Sequence, residues 1–298
     1  MNIAITGASG FLGPHLIARL LKDGHSIRTL GRRDTGIAGV RHFAWDATAG
    51  EPSPDSLEGV EAVVNLIGEP VAQRWNSEVK RRIRESRGKG TRNLVSGLAR
   101  LAVKPRVFVG GSAVGFYGDR GDELLTENSS AGQDFLAQVC LEWEEASQGA
   151  AKLGMRVVVL RTGIVLGADG GALAQMATPF KAGVGGPVGS GKQWVPWIHV
   201  DDWVELVLFA LANEPVKGPV NAVASNPVRN ADFAHALGSA LSRPSLLPVP
   251  VFALKLLYGE AANALVSSQR ALPTVATRAG FQFRYPEVAG ALNQIYKG

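Results

Sequence analysis

An apolar run, Ile3-Ala4-Ile5, passes directly into Thr6-Gly7-Ala8-Ser9-Gly10-Phe11-Leu12-Gly13. Behind it follows Leu16-Ile17-Ala18-Arg19-Leu20-Leu21, whose apolar residues recur at helical spacing. A strand, a glycine turn and a helix N-terminus in that order make a site for an anion. The glycines let the backbone turn sharply and approach a pyrophosphate, while unpaired N–H groups and the helix dipole favour its charge. The spacing is G-x-x-G-x-x-G, a variant of the G-x-G-x-x-G of many dinucleotide-binding turns.

The second apolar run sharpens this. Ser26-Ile27-Arg28-Thr29-Leu30 ends in Gly31-Arg32-Arg33. In a dinucleotide-binding fold, about 20 residues past the glycines is where an acidic side chain holds the ribose 2′-OH of NAD, or an arginine accepts the 2′-phosphate of NADP. Two guanidiniums precede the first acid, Asp34, and each is suited to paired charge-assisted hydrogen bonds with a phosphate. The expected cofactor is NADP(H).

These features resemble the short-chain dehydrogenase/reductase superfamily in its extended form, along essentially the whole chain. Val63 to Gly68 is similar to the family's fourth strand, and Ser112 to Gly118 to the fifth-strand segment that carries its active-site serine. Trp197 to Asp202 resembles the helix-opening segment behind the substrate loop. Four phrases match one atypical branch, the epimerase-family proteins of poorly defined function: Asn65–Trp75, Ser112–Glu123, Gly189–Asp202 and the C-terminal run from Leu247 through Arg270 to Pro286. The resemblance implies a Rossmann-type doubly wound parallel sheet with a smaller, mainly helical C-terminal substrate region. It also implies cofactor contacts from Thr6, Gly7, Ser9, Gly10, Phe11, Leu12, Gly13, Arg32, Arg33, Asp46, Leu66, Ile67, Gly68 and Arg161.

The superfamily's catalytic Tyr-x-x-x-Lys is missing. At its expected place, Phe135 with Val139 or Leu136 with Cys140 fills the two positions, depending on register. Of the four tyrosines, 117, 258, 285 and 296, none has a lysine four residues later. Proton transfer by that pair is excluded; hydride chemistry with another proton source is not.

With 298 residues, 46% hydrophobic and 19% charged, the chain has the composition of an ordinary soluble enzyme. A net charge of +5 and a pI near 9.5 raise the question of nucleic acid. The basic cluster Lys80–Lys89 has no interleaved aromatics and reads as a solvated helix face. The lone Cys140 excludes an intrachain disulfide and fits a reducing compartment. With no secretory signal and no run near the ~20 apolar residues of a membrane span, the expectation is a cytoplasmic protein, with a homodimer open.

Strands and helical patterns alternate over the first 165 residues, with strands at Arg41–Trp45, Ala62–Leu66, Arg106–Val109 and Arg156–Leu160 and helices around 76–101 and 134–153. That alternation implies a parallel sheet covered on both faces, with ligands at the carboxyl ends of its strands. Residues 1–165 form the expected NADP-binding domain, to which 198–225 return through the strand Val220–Val223. Residues 166–197 and 226–298 form the substrate region, with 183–196 a loop.

Gly186 to Lys192 meets the first seven positions of a phosphate-loop pattern, but Gln193 cannot supply the hydroxyl that binds magnesium and no strand leads in. The segment reads instead as a substrate loop, with Gln193, Trp194 and Trp197 towards a small-molecule substrate. Candidate catalytic groups are Ser112, to polarise a carbonyl, Tyr117, as proton donor, and Glu69, as acid or base after the fourth strand. The serine register is open: counting from Phe116 selects Ser112, and from Tyr117, Ala113. Each has a bland alternative, respectively a satisfied strand-end hydroxyl, packing against Phe116, and a turn cap. His199 reads as structural, and no metal spacing is present. The residues point to an oxidoreductase, or an epimerase acting by transient oxidation, on a small polar substrate. The alternative is a non-catalytic dinucleotide-binding sensor.

Overall fold

The computed structural model describes residues 1–297. Seven parallel strands form the central sheet: β1 (Asn2–Thr6), β2 (Ser26–Gly31), β3 (Val40–Ala44), β4 (Ala62–Asn65), β5 (Val107–Ala113), β6 (Arg156–Thr162) and β7 (Gly218–Ala222), in the order β7-β6-β5-β4-β1-β2-β3. Side chains alternate across a strand, so β1 sends Ile3 and Ile5 to one face and Ala4 to the other. On the first face they meet Leu16, Ile17 and Leu20 of α1 (Leu12–Lys22), beside Trp203, Leu206 and Val207 of a long helix, Val200–Ala212. On the second, Val63 and Phe108 pack against Leu94 and Leu98 of α2 (Ser77–Ala99). Helix α3 (Phe135–Gln148) lies against α2, with its first turn capped by Asp134, whose carboxylate accepts from the Ala137 amide at 2.9 Å.

The order reverses around β1, with β2 and β3 on one side and β4 to β7 on the other. This is the switch point at which open α/β sheets bind ligands. The strand after Lys217 does return to the sheet, pairing Val220 with Leu160. A separate core forms from Phe180, Trp197, Phe233, Leu237 and Leu292, under the helices Gly171–Lys181, Asn230–Ala240 and Val288–Lys297.

Two details differ from expectation. The fifth strand runs four residues further, to Ala113, which puts Ser112 inside it, paired with Arg161. The 183–196 segment also holds a two-residue strand, Trp194–Val195, antiparallel to Val228–Arg229. No helix among the described residues is long and apolar enough to cross a membrane.

Candidate functional site

The turn after β1 is built for close approach. Gly7 has φ +68°, and a Cβ there would stand 2.3 Å from the Leu66 carbonyl oxygen, so no side chain fits. At Gly13 a Cβ would come 1.9 Å from the Ala8 oxygen, which lets α1 press onto the turn. The Gly10 and Gly13 amides close back onto the Gly7 and Gly10 carbonyls, each at 3.1 Å, leaving Ser9 and Gly10 exposed at the mouth of α1. The first amides of a helix lack intrahelical partners, and here they open onto the sheet's carboxyl edge. The residues present therefore fit a dinucleotide pyrophosphate.

Beneath the turn, the Thr6 hydroxyl is fully buried and donates to Asn65 Oδ1 at 2.6 Å, while Asn65 Nδ2 donates to Thr91 Oγ1 at 2.9 Å. Thr6 thus ties β1 to β4 and α2, and only its backbone remains for a ligand. Phe11 turns its ring away from the turn, into space left by Gly167, Gly170 and Gly171, where a Cβ would come within 2.7 to 2.9 Å of it. Leu12 and Ile67 are half-buried, Leu66 continues the β1 ladder through its amide to the Thr6 oxygen at 3.1 Å, and Gly68 is exposed.

Arg32 and Arg33 stand exposed just past β2, with no ion-pair partner among the described residues. Across from them, Asp46 accepts from the Thr48 hydroxyl at 2.8 Å and amide at 2.9 Å. Those bonds, helped by the charge of Arg32, hold its carboxyl below the usual range.

At the end of β5 the structure corrects several sequence expectations. Tyr117 is fully buried: its phenol donates to Asn221 Oδ1 at 2.7 Å, and burial pushes its pKa up, so it is sealed from the cleft as a packing residue. Arg161, expected at the cofactor, is engaged within the protein. Its guanidinium is committed to Glu144, to the Tyr117 oxygen and to the Glu127 carbonyl, and lies 3.4 Å over the Phe116 ring. Ser112 is nearly buried and donates to Glu144 Oε1 at 2.7 Å. Glu144 is the residue that sequence reasoning missed. It sits one turn beyond Cys140, on the helix where the superfamily's lysine is missing.

That helix settles one register. Phe135 and Val139 pack with Val79 and Ile83 of α2, while Leu136 lies beside Gly115 and the Cys140 thiol points at the Ala113 carbonyl, 3.7 Å away. Leu136 and Cys140 are therefore the pair facing β5. Glu69 follows β4, with its amide bonded to Ser86 Oγ and its carboxylate 3.4 Å from Arg82 Nε.

Farther out, Trp194 is held between Arg229 and Arg270, 4.1 and 4.4 Å from its ring, with its indole N–H on Asp122 at 2.9 Å. Gln193 borders an open cavity of about 720 Å³, with Asp122, Lys192, Arg229 and Ser268 also on its wall. Trp197, expected towards the substrate, is buried. It is 1% exposed, because its strand, Trp197–His199, pairs with Ile164–Leu166 inside the C-terminal core. The phosphate-loop lookalike has no phosphate-loop geometry, since Lys192 leads into a strand rather than a helix. His199 is buried, with Nε2 on Gln294 and Nδ1 accepting from the Asp201 amide. The basic face of α2 is largely neutralised: Arg81 bridges Glu78 and Glu85, and Arg84 meets Glu142. No group of metal ligands occurs among the described residues.

A doubly wound sheet with a glycine turn at its switch point defines a dinucleotide-binding α/β protein of the extended short-chain dehydrogenase/reductase type. The chain belongs to the NAD dependent epimerase/dehydratase family, whose model matches residues 3–222; a second model, "Domain of unknown function (DUF1731)", matches 249–295. It is 44% identical to the chloroplastic epimerase family protein SDR39U1 homolog of Arabidopsis thaliana, over 99% of this chain and 86% of that one. It is 36% identical to epimerase family protein YfhF of Bacillus subtilis, over 99% and 98%. The crystal structure of human epimerase family protein SDR39U1 (isoform 2) with NADPH superposes with a TM-score of 0.89 at 31% identity, covering both chains fully. MoeE5 in complex with UDP-glucuronic acid and NAD shares the fold, with a TM-score of 0.79 at 21% identity over 99% of this chain and 98% of that one.

Proposed function

We propose that this protein binds NADP(H) and is an oxidoreductase, or an epimerase acting by transient oxidation, on a small polar substrate. The observation that carries the reading is the side-chain-free turn at Gly7 together with the two unpaired guanidiniums of Arg32 and Arg33 at the end of β2. The human relative solved with NADPH supports the choice of cofactor.

Bound there, the cofactor supplies reversible hydride transfer. The turn holds the pyrophosphate through backbone amides, and Arg32 and Arg33 hold the 2′-phosphate. Residues 1–165 and 198–225 make this half, supported by the return of β7 to the sheet, and 166–197 with 226–298 make the substrate half. Ser112 commits its proton to Glu144, so its Oγ offers lone pairs to a substrate hydroxyl, and Glu144 stands behind it as proton acceptor. Glu69 is the second ionisable group on the same edge. The lone, buried Cys140 is consistent with a cytoplasmic setting.

The burial of Ser112 and Tyr117 favours one alternative, a protein that binds the cofactor without turning it over. Incubating the protein and NADPH with a library of small carbonyl compounds separates the two. Oxidation of NADPH that Ser112→Ala and Glu69→Gln abolish is expected; binding with no oxidation by any compound would leave the sensor reading.

A further inference from the structure

Two stretches of the chain's C-terminal half, 170–200 and 233–259, contain no aspartate or glutamate. Their cations are Lys181, Lys192, Arg243 and Lys255, all exposed and all without an ion-pair partner among the described residues. The two stretches meet. Val188 bridges Val249, the Gly189 amide donates to the Val249 carbonyl at 2.9 Å, and the Val249 amide donates to the Pro187 carbonyl at 2.8 Å. At Gly186 a Cβ would stand 2.1 Å from the Leu247 oxygen.

The surface they share is apolar as well as basic. Helix Val251–Tyr258 buries none of its residues, and Phe252, Leu256 and Leu257 are 75%, 72% and 65% exposed. Phe252 and Leu256 lie one turn apart on the same stripe, with Lys255 beside them. Leu246, Leu247 and Val184 are exposed as well. Large apolar side chains gathered in this way mark a contact surface. The helix is held from behind: Arg74 Nη1 donates to the Leu256 carbonyl at 2.9 Å, and Glu260, the first acid after it, is paired with Lys80.

Apolar tips among uncompensated cations match the surface of an anionic bilayer. The apolar side chains enter the acyl boundary while the cations meet the headgroups. The run Leu246–Tyr258 is too short to span, and Pro248 and Pro250 break it, so it can only lie on a membrane. A second copy fits less well. A two-fold contact through this helix would set Lys255 against its own counterpart, with no carboxylate in either stretch to offset it. Asp119, Asp122 and Asp232 line the cavity that Val251 borders, and Asp122 is paired with Arg229.

We propose that the face around Leu246–Tyr258 docks on the surface of an anionic lipid bilayer, with Phe252, Leu256 and Leu257 inserted and Arg243 and Lys255 at the headgroups. The cavity bordered by Val251 and Gln193 then opens beside the bilayer. This holds whether or not the protein binds NADP(H).

Co-sedimentation of the full chain tests this with vesicles of phosphatidylcholine alone and of phosphatidylcholine with about 30% phosphatidylserine. Each basic residue at such a surface contributes roughly fivefold in partitioning. Wild type should therefore prefer the anionic vesicles by about tenfold or more at ~0.15 M salt and lose most of that preference at ~1 M. Arg243→Glu with Lys255→Glu should bring the preference to within about twofold of unity. Phe252→Ser with Leu256→Ser should cut binding to anionic vesicles by about tenfold, with the fold kept by circular dichroism because both side chains are exposed. No binding to either vesicle, equal binding to both, or wild-type binding by either double variant would overturn the proposal. A wild-type dimer that Phe252→Ser with Leu256→Ser dissociates in sedimentation velocity would overturn it too, and assign the face to a second copy. Should the serine variant not fold, Leu257→Cys carrying an environment-sensitive dye gives the same decision, since the native Cys140 is buried. A blue shift on anionic vesicles is expected, and an unchanged spectrum would refute insertion.

Discussion

Arg161 and Glu144 meet in a two-point ion pair, Nε to Oε1 and Nη2 to Oε2, each at 2.9 Å, with both side chains largely shielded from water. Burial works against the charge of Arg161, but Glu144 outweighs it and holds the guanidinium pKa above its ordinary value. Ser112 donates to the same Oε1, so an ion pair between β6 and α3 sets the direction of the serine's hydrogen bond. The end of β5 is thereby preorganised without the phenol and ammonium usual in this superfamily.

Breaking that pair from one side should be costly. Glu144→Gln leaves a buried guanidinium uncompensated, and such changes destabilise by about 3–5 kcal/mol. Urea unfolding should show the loss in Glu144→Gln and only about 1 kcal/mol in Ser112→Ala, which removes a single hydrogen bond. Equal stabilities for the two variants would mean that the pair is dispensable to the fold.

The glycine turn gives a sharper test. Gly7→Val needs a left-handed backbone that a β-branched residue avoids, and its Cβ collides with the Leu66 carbonyl. Dinucleotide binding should be lost. Gly10 lies outside the left-handed region, and a Cβ there is 3.3 Å from the Gly7 oxygen, so Gly10→Val should keep the fold by circular dichroism while filling the anion cradle. Wild-type affinity in a folded Gly10→Val variant would place the pyrophosphate elsewhere.

Cofactor choice rests on two side chains. Replacing Arg32 and Arg33 together with serine should weaken NADPH by roughly tenfold or more, since hydrogen bonds to charged groups contribute about 1.5–3 kcal/mol each. NADH, with no 2′-phosphate, should be nearly unaffected. Equal wild-type affinities for NADH and NADPH would exclude the assignment.

What was legible in the sequence was what local chemistry determines. A strand, three spaced glycines and an amphipathic helix needed no distant partner, and the arginines at the end of β2 follow at a fixed remove. The misplaced residues depended on long-range packing. Ser112 and Glu144 are 32 residues apart, so nothing near Ser112 announced that its hydroxyl was already engaged. The family resemblance implies a cofactor contact from Arg161, yet Glu144 reaches it from α3. Trp197 directly follows the 183–196 loop, whereas three residues of pairing with Ile164–Leu166 draw it into a core.

Cys140 offers the last test, because it occupies the helix position from which a lysine is missing. Burial pushes the pKa of its thiol up to about 11; the charge of Arg87 opposes that shift only in part. Because the folded thiol is protonated below that value, its reactive thiolate is scarce at neutral pH. At pH 8 the thiolate fraction is about 100-fold below that of a thiol of pKa 9, and it grows about tenfold per pH unit until near 11. Iodoacetamide should therefore react slowly at pH 7 and faster with rising pH along that slope. Cys140→Ser should keep NADPH affinity, and any turnover found, within a few-fold of wild type. Rapid labelling at pH 7 that NADPH blocks, with turnover lost in Cys140→Ser, would make the thiol the proton donor and move the chemistry from the end of β5 onto α3.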